Sequence, residues 1–389
     1  MSPASLELSD DQRELQELAR MFAAREVRPI AAEVDEADDA RVPWQLWEKA
    51  TEIGLTSYML PQRFGGGGVD ECLTECVIQE ELSHGDGGLG SLVTSAGFFA
   101  GPLLALGSEQ QQQRWLTLLC EGTRPPLTSL ATTEPDFGSD AAGMATRARR
   151  VDGGYVLSGQ KTWVSNGGVA DLYVVFAQTS PGSRSRGVTA FVFERGDEGL
   201  RFGPPMKKLG DRGIVNTELF LDDAFAPDDR RLGDEGSGFT GLMQTFDRSR
   251  VVLAAGCVGM ARAAYEYAVG YARERVQFGK PIIEHQAVGF RLADVAMRVD
   301  AARLLTWQAA LAIDGGARAT REAAMAKLYA SEAAMFSTWA AVQTLGGFGY
   351  SREYPVEKWF RDAKLEEIWE GTSDIQRLII SRDLARVGP

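Results

Sequence analysis

Histidine is scarce in this chain: His84 and His285 are the only two in 389 residues. That scarcity excludes a multi-histidine metal centre, and no metal is expected. Cysteine is nearly as rare, with four in all. Cys72 and Cys76 lie four apart on a predicted helix, and no Cys or His pair follows at zinc-ligand spacing. They read as small buried side chains, and the lack of a disulfide framework points to a reducing cytoplasm. Positive charge is also short, with 41 Lys and Arg against 54 Asp and Glu and a net charge of -13. A nucleic-acid binder would need a basic footprint, so none is expected, although local arginines can still pair the phosphates of a coenzyme. Long apolar runs are missing as well. The stretch from Val251 is broken by Arg262, so no membrane span is expected. Residues 1–8 lack the basic-then-apolar plan of a secretion leader.

What is present fits a globular protein with a sizeable core: 44% hydrophobic and 24% charged residues. The pattern predicts an α+β fold, mainly α, in three parts. Residues 1–125 read as an all-helical domain. Its first helix opens on a capping box at Ser9-Asp10-Asp11-Gln12, followed by Leu15, Leu18 and Phe22 at helical spacing. Further helices are predicted at 44–53, 70–83, 92–106 and 109–120. Residues 126–237 carry β-rich runs at 155–157, 172–176, 188–193 and 217–221, separated by turn signals such as Asp152-Gly153-Gly154. They predict a small antiparallel barrel or sandwich. Residues 238–389 return to helical patterning, with candidates at 239–277, 287–315, 320–345 and 373–386, which suggests a four-helix bundle.

Gly85-Asp86-Gly87-Gly88-Leu89-Gly90 spells a dinucleotide fingerprint by letter, but it follows a helix and no βαβ unit surrounds it. It reads as a loop between helices, and Gly65-Gly66-Gly67-Gly68 as a flexible turn. The most informative stretch is Ile368-Trp369-Glu370-Gly371-Thr372-Ser373-Asp374-Ile375-Gln376. It sets a carboxylate between a tryptophan and a glycine, just ahead of a helix start. Burial beside apolar bulk raises a carboxylate's pKa toward neutrality, where it works well as a general base. The plainer alternative is an acid favoured by a helix dipole.

This stretch resembles the base-bearing motif of the acyl-CoA dehydrogenases, flavoenzymes that desaturate acyl thioesters. Thr132-Thr133-Glu134-Pro135-Asp136-Phe137-Gly138-Ser139-Asp140 and Gly159-Gln160-Lys161-Thr162-Trp163-Val164-Ser165-Asn166 resemble the family's two flavin-flanking segments. Arg273-Glu274-Arg275-Val276-Gln277-Phe278-Gly279-Lys280-Pro281 and Gln343-Thr344-Leu345-Gly346-Gly347-Phe348-Gly349-Tyr350 resemble its pyrophosphate signatures. Tyr354-Pro355-Val356-Glu357-Lys358 and Arg361-Asp362-Ala363 continue the match. The likeness runs over nearly the whole chain. It is weakest before Gly107 and densest from Phe246 onward. The last third looks much like the medium-chain members.

The resemblance implies FAD as cofactor. Thr133, with Leu130, Thr132, Gly138 and Ser139 nearby, would take the pyrimidine edge. Trp163 would cover one ring face, and the Ser165 hydroxyl, where the family often has Thr, would reach N5. Arg275 would pair the pyrophosphate and Phe278 pack near the adenine across a subunit interface, joined by Gln277 and Gln286. Gln343, Gly346 and Gly347 would flank the pyrophosphate, and Thr372 and Asp374 would also touch FAD.

The family places its base at one of two positions. The minority position holds Ser249 here, which cannot serve, so the assignment falls on Glu370. Glu370 would remove the α proton while a hydride leaves the β carbon for flavin N5, giving a trans-2-enoyl thioester. The family's oxyanion hole would use the Glu370 N–H and a flavin ribityl hydroxyl. Ser139, Phe246, Asp247, Arg250 and Gly371 would contact the thioester or support the base, and Arg318 the CoA phosphate. Thr94, Phe98 and Phe99 would line the acyl pocket with Trp369, and their bulk suggests a short or compact acyl group. Electron-transferring flavoprotein is the expected acceptor, and a homotetramer built as a dimer of dimers the expected assembly. An acyl-thioester oxidase, a carrier-protein-linked dehydrogenase of biosynthesis, and a non-catalytic acyl-CoA or flavin-binding protein stay open.

Overall fold

The capping box at Ser9 forms as predicted. In this computed structural model, which describes residues 7–37 and 41–387, the Ser9 hydroxyl accepts from the Gln12 N–H while the Gln12 side chain accepts from the Ser9 N–H. Most of the stretch read for a leader, residues 1–6, lies outside the described residues. Helix α1 (Asp10–Phe22) runs through a π turn (Ala23–Val27) and a 3-10 turn (Arg28–Ile30) into α2 (Ala31–Glu36). Pro29 withdraws a backbone donor at that break. Then come α3 (Trp44–Glu52), α4 (Cys72–Gly85), α5 (Gly87–Val93), α6 (Gly97–Leu106) and α7 (Glu109–Leu118).

Two expectations change here. The run 92–106, predicted as one helix, breaks at residues 94–96. Thr94 Oγ1 donates within reach of the Gly90 carbonyl (3.3 Å) and of Gln79 Oε1 (3.0 Å), a local alternative to helical pairing. The predicted loop 85–90 shrinks to Asp86, whose carboxylate caps α5 by accepting from the Leu89 N–H at 3.1 Å. The glycines there serve close packing: a Cβ on Gly88 would lie 2.4 Å from Asp211 Oδ1.

The central sheet comprises β1 (Thr128–Ala131), β2 (Arg147–Val151), β3 (Gly154–Ser165), β4 (Leu172–Gln178), β5 (Val188–Glu194), β6 (Leu200–Phe202), β7 (Asn216–Pro227) and β8 (Arg231–Leu232). Its order is β6-β7-β3-β2-β4-β5-β8, with β1 also paired to β4. It is mainly antiparallel, as expected, but β1 joins β4 in parallel, and β2 meets β4 in parallel at Arg147 and Gln178. The apolar runs of β4 and β5 are explained by two-sided burial. Tyr173, Val175, Phe191 and Phe193 face one core; Val174, Phe176, Ala190 and Val192 face the other.

The last region contains α8 (Gly238–Glu274), a hairpin of β9 (Val276–Gln277) and β10 (Lys280–Pro281), α9 (Gln286–Asp314), α10 (Thr320–Leu345), α11 (Val356–Glu366) and α12 (Ser373–Val387). Gln277, predicted as the end of a helix, lies in the hairpin, and α11 was not predicted. Alanines let α8 and α10 pack closely, among them Ala254, Ala261, Ala326 and Ala330. A buried ionic knot ties the regions together. Lys358 on α11 bonds Asp86 and, at 2.6 Å, Asp362, and Asp362 accepts from the Asp211 N–H at 2.6 Å. No single helix among the described residues is long and apolar enough to cross a membrane.

Candidate active site

Between α11 and α12 the chain turns on two consecutive left-handed residues, Glu370 (φ 51°) and Gly371 (φ 94°). A side chain at 371 would meet Gln376 Nε2 at 2.9 Å, so glycine is required there. Glu370 pays a conformational cost that persists only because its surroundings fix it. Its carbonyl accepts from Arg250 Nε (3.0 Å) on α8 and Gln376 Nε2 (3.3 Å) on α12. The next carbonyl, of Gly371, accepts from Gln376 Nε2 (2.8 Å) and from Lys327 Nζ (2.9 Å) on α10. The Glu370 N–H donates to no group among the described residues, which leaves it free for a substrate carbonyl. Thr372 starts α12, its hydroxyl accepting from the Ile375 N–H at 3.3 Å. Asp374 in the first turn is exposed.

The Glu370 carboxylate accepts from Ser249 Oγ at 2.7 Å. Burial raises its pKa above the ordinary carboxylate value, against the Ser249 hydrogen bond and the charges of Arg250 and Lys327. Ser249, Arg250, Phe246 and Asp247 share one stretch of α8. Arg250 sits 5.3 Å over the Phe246 ring and 4.0 Å from Asp247. Asp247 accepts from Thr320 Oγ1 at 2.8 Å, which places the exposed Arg318 in the same neighbourhood. Gly101 lets α6 approach α8 at Thr245, where a Cβ would come within 2.6 Å of Cγ2.

Among the acyl-pocket candidates, Thr94 and Phe98 are half-buried. Phe99 is a correction: it is wholly buried and packs edge-on to Trp115 at 6.2 Å, so it belongs to the core. The Trp369 indole donates to Glu366 Oε2 at 2.8 Å. Burial pushes Glu366 up to about 8.

The two flavin-flanking segments lie side by side. Thr162 N–H donates to the Thr133 carbonyl at 2.9 Å, and Lys161 Nζ reaches Glu134 Oε1 at 2.7 Å and the Thr132 carbonyl at 3.2 Å. Burial outweighs this pairing for Lys161 and lowers it to about 8. Burial alone would raise Glu134, but Lys161 and the amides of Ala145 and Thr146 hold it below the ordinary value. The register of β3 against β7 shifts between Lys161 and Val164, and at that bulge Trp163 adopts φ 57° and turns outward, 56% exposed. Ser165 Oγ accepts from Asn216 Nδ2 at 3.3 Å. Thr132 Oγ1 is buried without a partner, and nothing stands within 4 Å of a Cβ built on Gly138. Leu130 is half-buried beside the sheet core and Ser139 is exposed. An orphaned hydroxyl, an open glycine and an outward indole fit a planar, polar-edged ring system such as a flavin.

The pyrophosphate candidates gather elsewhere. Arg275 follows the last turn of α8, and the β9–β10 hairpin turns on Phe278 (φ 50°) and Gly279 (φ 77°), leaving Phe278 95% exposed. Arg275, Gln277, Phe278, His285, Gly347 and Phe348 line an open pocket of about 650 Å³. Gln286, Gln343 and Gly346 are exposed next to lining residues, and a Cβ at Gly346 (φ 64°) would meet nothing within 4 Å. From Arg250 to Glu274 helix α8 spans about 36 Å, so this pocket is far from Glu370.

Ser249, Lys327, Gln376 and the Lys161–Glu134 pair were not singled out as site residues from the sequence. Lys327 had a readable signal: a lone charge on an alanine-lined helix face between Ala323 and Ala330. Of seven non-glycine residues with positive φ among the described residues, Trp163, Phe278 and Glu370 are predicted site residues, so backbone strain marks the same places.

Known proteins share this arrangement of parts. The acyl-CoA dehydrogenase N-terminal domain family matches residues 9–123, the middle domain 129–224 and the C-terminal domain 236–385. The mitochondrial short-chain specific acyl-CoA dehydrogenase of Bos taurus is 40% identical over 383 residues, covering 98% of this chain and 92% of the relative. The butyryl-CoA dehydrogenase structure from Megasphaera elsdenii is 37% identical with a TM-score of 0.94, covering 98% of this chain and 100% of that one. A chain solved in work on the electron transferring flavoprotein of Acidaminococcus fermentans gives the same identity, coverage and TM-score.

Proposed function

The chain belongs to the acyl-CoA dehydrogenase family, and from that premise we propose that it is an FAD-dependent enzyme desaturating a short acyl-CoA between its α and β carbons, with Glu370 as base. The observation that carries the reading is the Glu370 turn: a carboxylate whose pKa is raised by burial, on a left-handed backbone fastened by α8, α10 and α12. A rigid base held near the substrate gains from orientation, an effect able to contribute roughly 7–11 kcal/mol in favourable systems.

The chain's own part in the reaction follows from these positions. Glu370 takes the α proton, which is acidic enough only while negative charge on the thioester carbonyl is stabilised. The unpaired Glu370 N–H supplies one donor for that charge. Arg250 and Lys327 hold the two carbonyls of the turn, so the base does not swing away as charge moves. Thr132, Thr133, Trp163 and Ser165 would hold the flavin ring, and Arg275, Gln277, Phe278 and Gly347 the pyrophosphate and adenine. Bound there, FAD supplies the acceptor for the hydride from the β carbon.

The separation along α8 supports an assembly in which one chain's Arg275 pocket completes its neighbour's site, hence at least a dimer and, by expectation, a tetramer. Phe290, Met297 and Leu304, seven apart on α9 and between 52% and 64% exposed, form an apolar stripe suited to such contacts. The short-chain and butyryl-CoA relatives support a short acyl group, as does the bulk of Trp369. The Acidaminococcus structure supports electron-transferring flavoprotein as acceptor. All four cysteines are free, which suits a reducing cytoplasm.

Anaerobic absorbance titration of the FAD-loaded protein with butyryl-, octanoyl- and branched acyl-CoAs tests the reading. Bleaching of the flavin band in wild type but not in Glu370→Gln is expected. Bleaching that survives Glu370→Gln would move the base elsewhere. Rapid oxygen uptake with no reduction of electron-transferring flavoprotein would favour an oxidase.

A further inference from the structure

Each backbone oxygen of the Glu370 turn has more than one anchor or a charged one: Arg250 and Gln376 on one carbonyl, Gln376 and Lys327 on the next. The reactive end of the side chain is held differently. Among the described residues the Glu370 carboxylate makes one hydrogen bond, from Ser249 Oγ to Oε2 at 2.7 Å. Arg250 directs Nε, and Lys327 Nζ, to carbonyls, and among the described residues neither forms an ion pair with the Glu370 carboxylate. Ser249 lies on α8 immediately before Arg250, so one helix fixes the backbone of the base through residue 250 and its carboxylate through residue 249.

We propose that Ser249 is the positioning residue of the proton-abstracting step, its hydroxyl holding Glu370 Oε2 so that Oε1 faces the substrate's α carbon. This rests on the reading of Glu370 as the base. Two effects follow from one contact. The serine selects one orientation of a side chain whose terminal torsion is broad when unrestrained. It also donates to the charged form, which keeps a carboxylate ionised in a site where burial favours the neutral one. The bond is oriented by charge. An ionised carboxylate only accepts, so the serine must donate, and its lone pairs stay free. Once Glu370 has taken the α proton, Oε2 is the weaker acceptor and the bond loosens. The contact therefore favours the state before proton transfer and resists a premature protonation from solvent. The titratable and charged groups around the carboxylate are Arg250 and Asp247 on α8, Lys327 on α10 and Glu366 at the end of α11, with neutral Gln376 from α12. Ser249 is itself uncharged, so its replacement by Ala or Thr leaves the formal charge around the carboxylate unchanged.

The test uses FAD-loaded Ser249→Ala, Ser249→Thr and Glu370→Gln in anaerobic stopped-flow with butyryl-CoA, recording flavin bleaching across roughly pH 5.5 to 9. Melting temperature and flavin content of each variant serve as folding controls. Ser249→Ala is expected to bleach about tenfold more slowly at the acid end, the loss of one pKa unit of support. Its acid limb moves to higher pH, and kcat falls while KM for butyryl-CoA stays near wild type. Ser249→Thr, which keeps the hydroxyl, restores most of the rate and the wild-type limb. A wild-type pH profile in Ser249→Ala overturns the proposal, and so does an equal loss in the alanine and threonine variants. Should the alanine variant fail to fold, Ser249→Gly gives a second deletion of the hydroxyl, judged by the same limb. Bleaching in Glu370→Gln would overturn the base assignment instead, so the two failures are distinguishable.

Discussion

Glu370 combines two unfavourable circumstances, a left-handed backbone and a buried carboxylate, and each has a measurable sign. Its pKa is raised, so the group stays protonated over a range where an ordinary carboxylate, near about 4.3, would be ionised. A base works only when ionised. The rate of flavin bleaching should therefore fall on acidification through an apparent pKa above that ordinary value, which a kcat/KM profile would read. Lys327→Met should slow bleaching by about tenfold or more, because it removes a charge-assisted hydrogen bond to the Gly371 carbonyl. Equal rates in wild type and variant would leave Lys327 a purely structural residue. The Glu370 turn was legible in the sequence because Trp369, Glu370 and Gly371 stand in one contiguous stretch. Ser249 was legible only as a residue unable to act as base. Its contact spans 121 positions, and nothing local announces it.

At the scale of elements, the bulge in β3 and the Lys161–Glu134 pair account for a motif that the sequence offered only as letters. The lysine between Gly159 and Trp163 is fully buried and fastens the strand to the loop carrying Thr132 and Thr133. Lys161→Met should destabilise the protein by about 3–5 kcal/mol, because Glu134 would be left buried without its cation. Urea denaturation would measure this, and adding Glu134→Gln should recover part of the loss. A neutral single substitution would mean that water or rearrangement compensates. Strands and helices escaped prediction for related reasons. Strand β2, Arg-Ala-Arg-Arg-Val, has too little apolar alternation to read as a strand. Helix α11 buries Lys358, Asp362 and Glu366 beside Trp359 and Ala363, so acids and a lysine interrupt its apolar period. The paired apolar runs of β4 and β5 were readable because both faces are buried.

At the scale of the molecule, α8 is the element that links everything. Along it, Ser249 and Arg250 face the Glu370 turn, and its end delivers Arg275 to the pocket beside Phe278. Helix, sheet and bundle were readable in outline. The distance between the Glu370 turn and the Arg275 pocket was not, because it depends on a single helix running unbroken over 37 residues. If each cofactor spans two chains, Arg275→Ala and Glu370→Gln should complement one another. Co-refolded variants should recover about one quarter of wild-type bleaching sites, the share intact in a random mixture of dimers. No recovery would place both halves of the site in one chain.

That long helix also turns colour into a census. If each cofactor does span two chains, a solitary chain would offer FAD one half of its grip, and yellow protein would count chains that have met a partner. Dilution should fade a preparation before it unfolds it. On the same reading, loss of FAD would remove the chemistry and part of the subunit contact together.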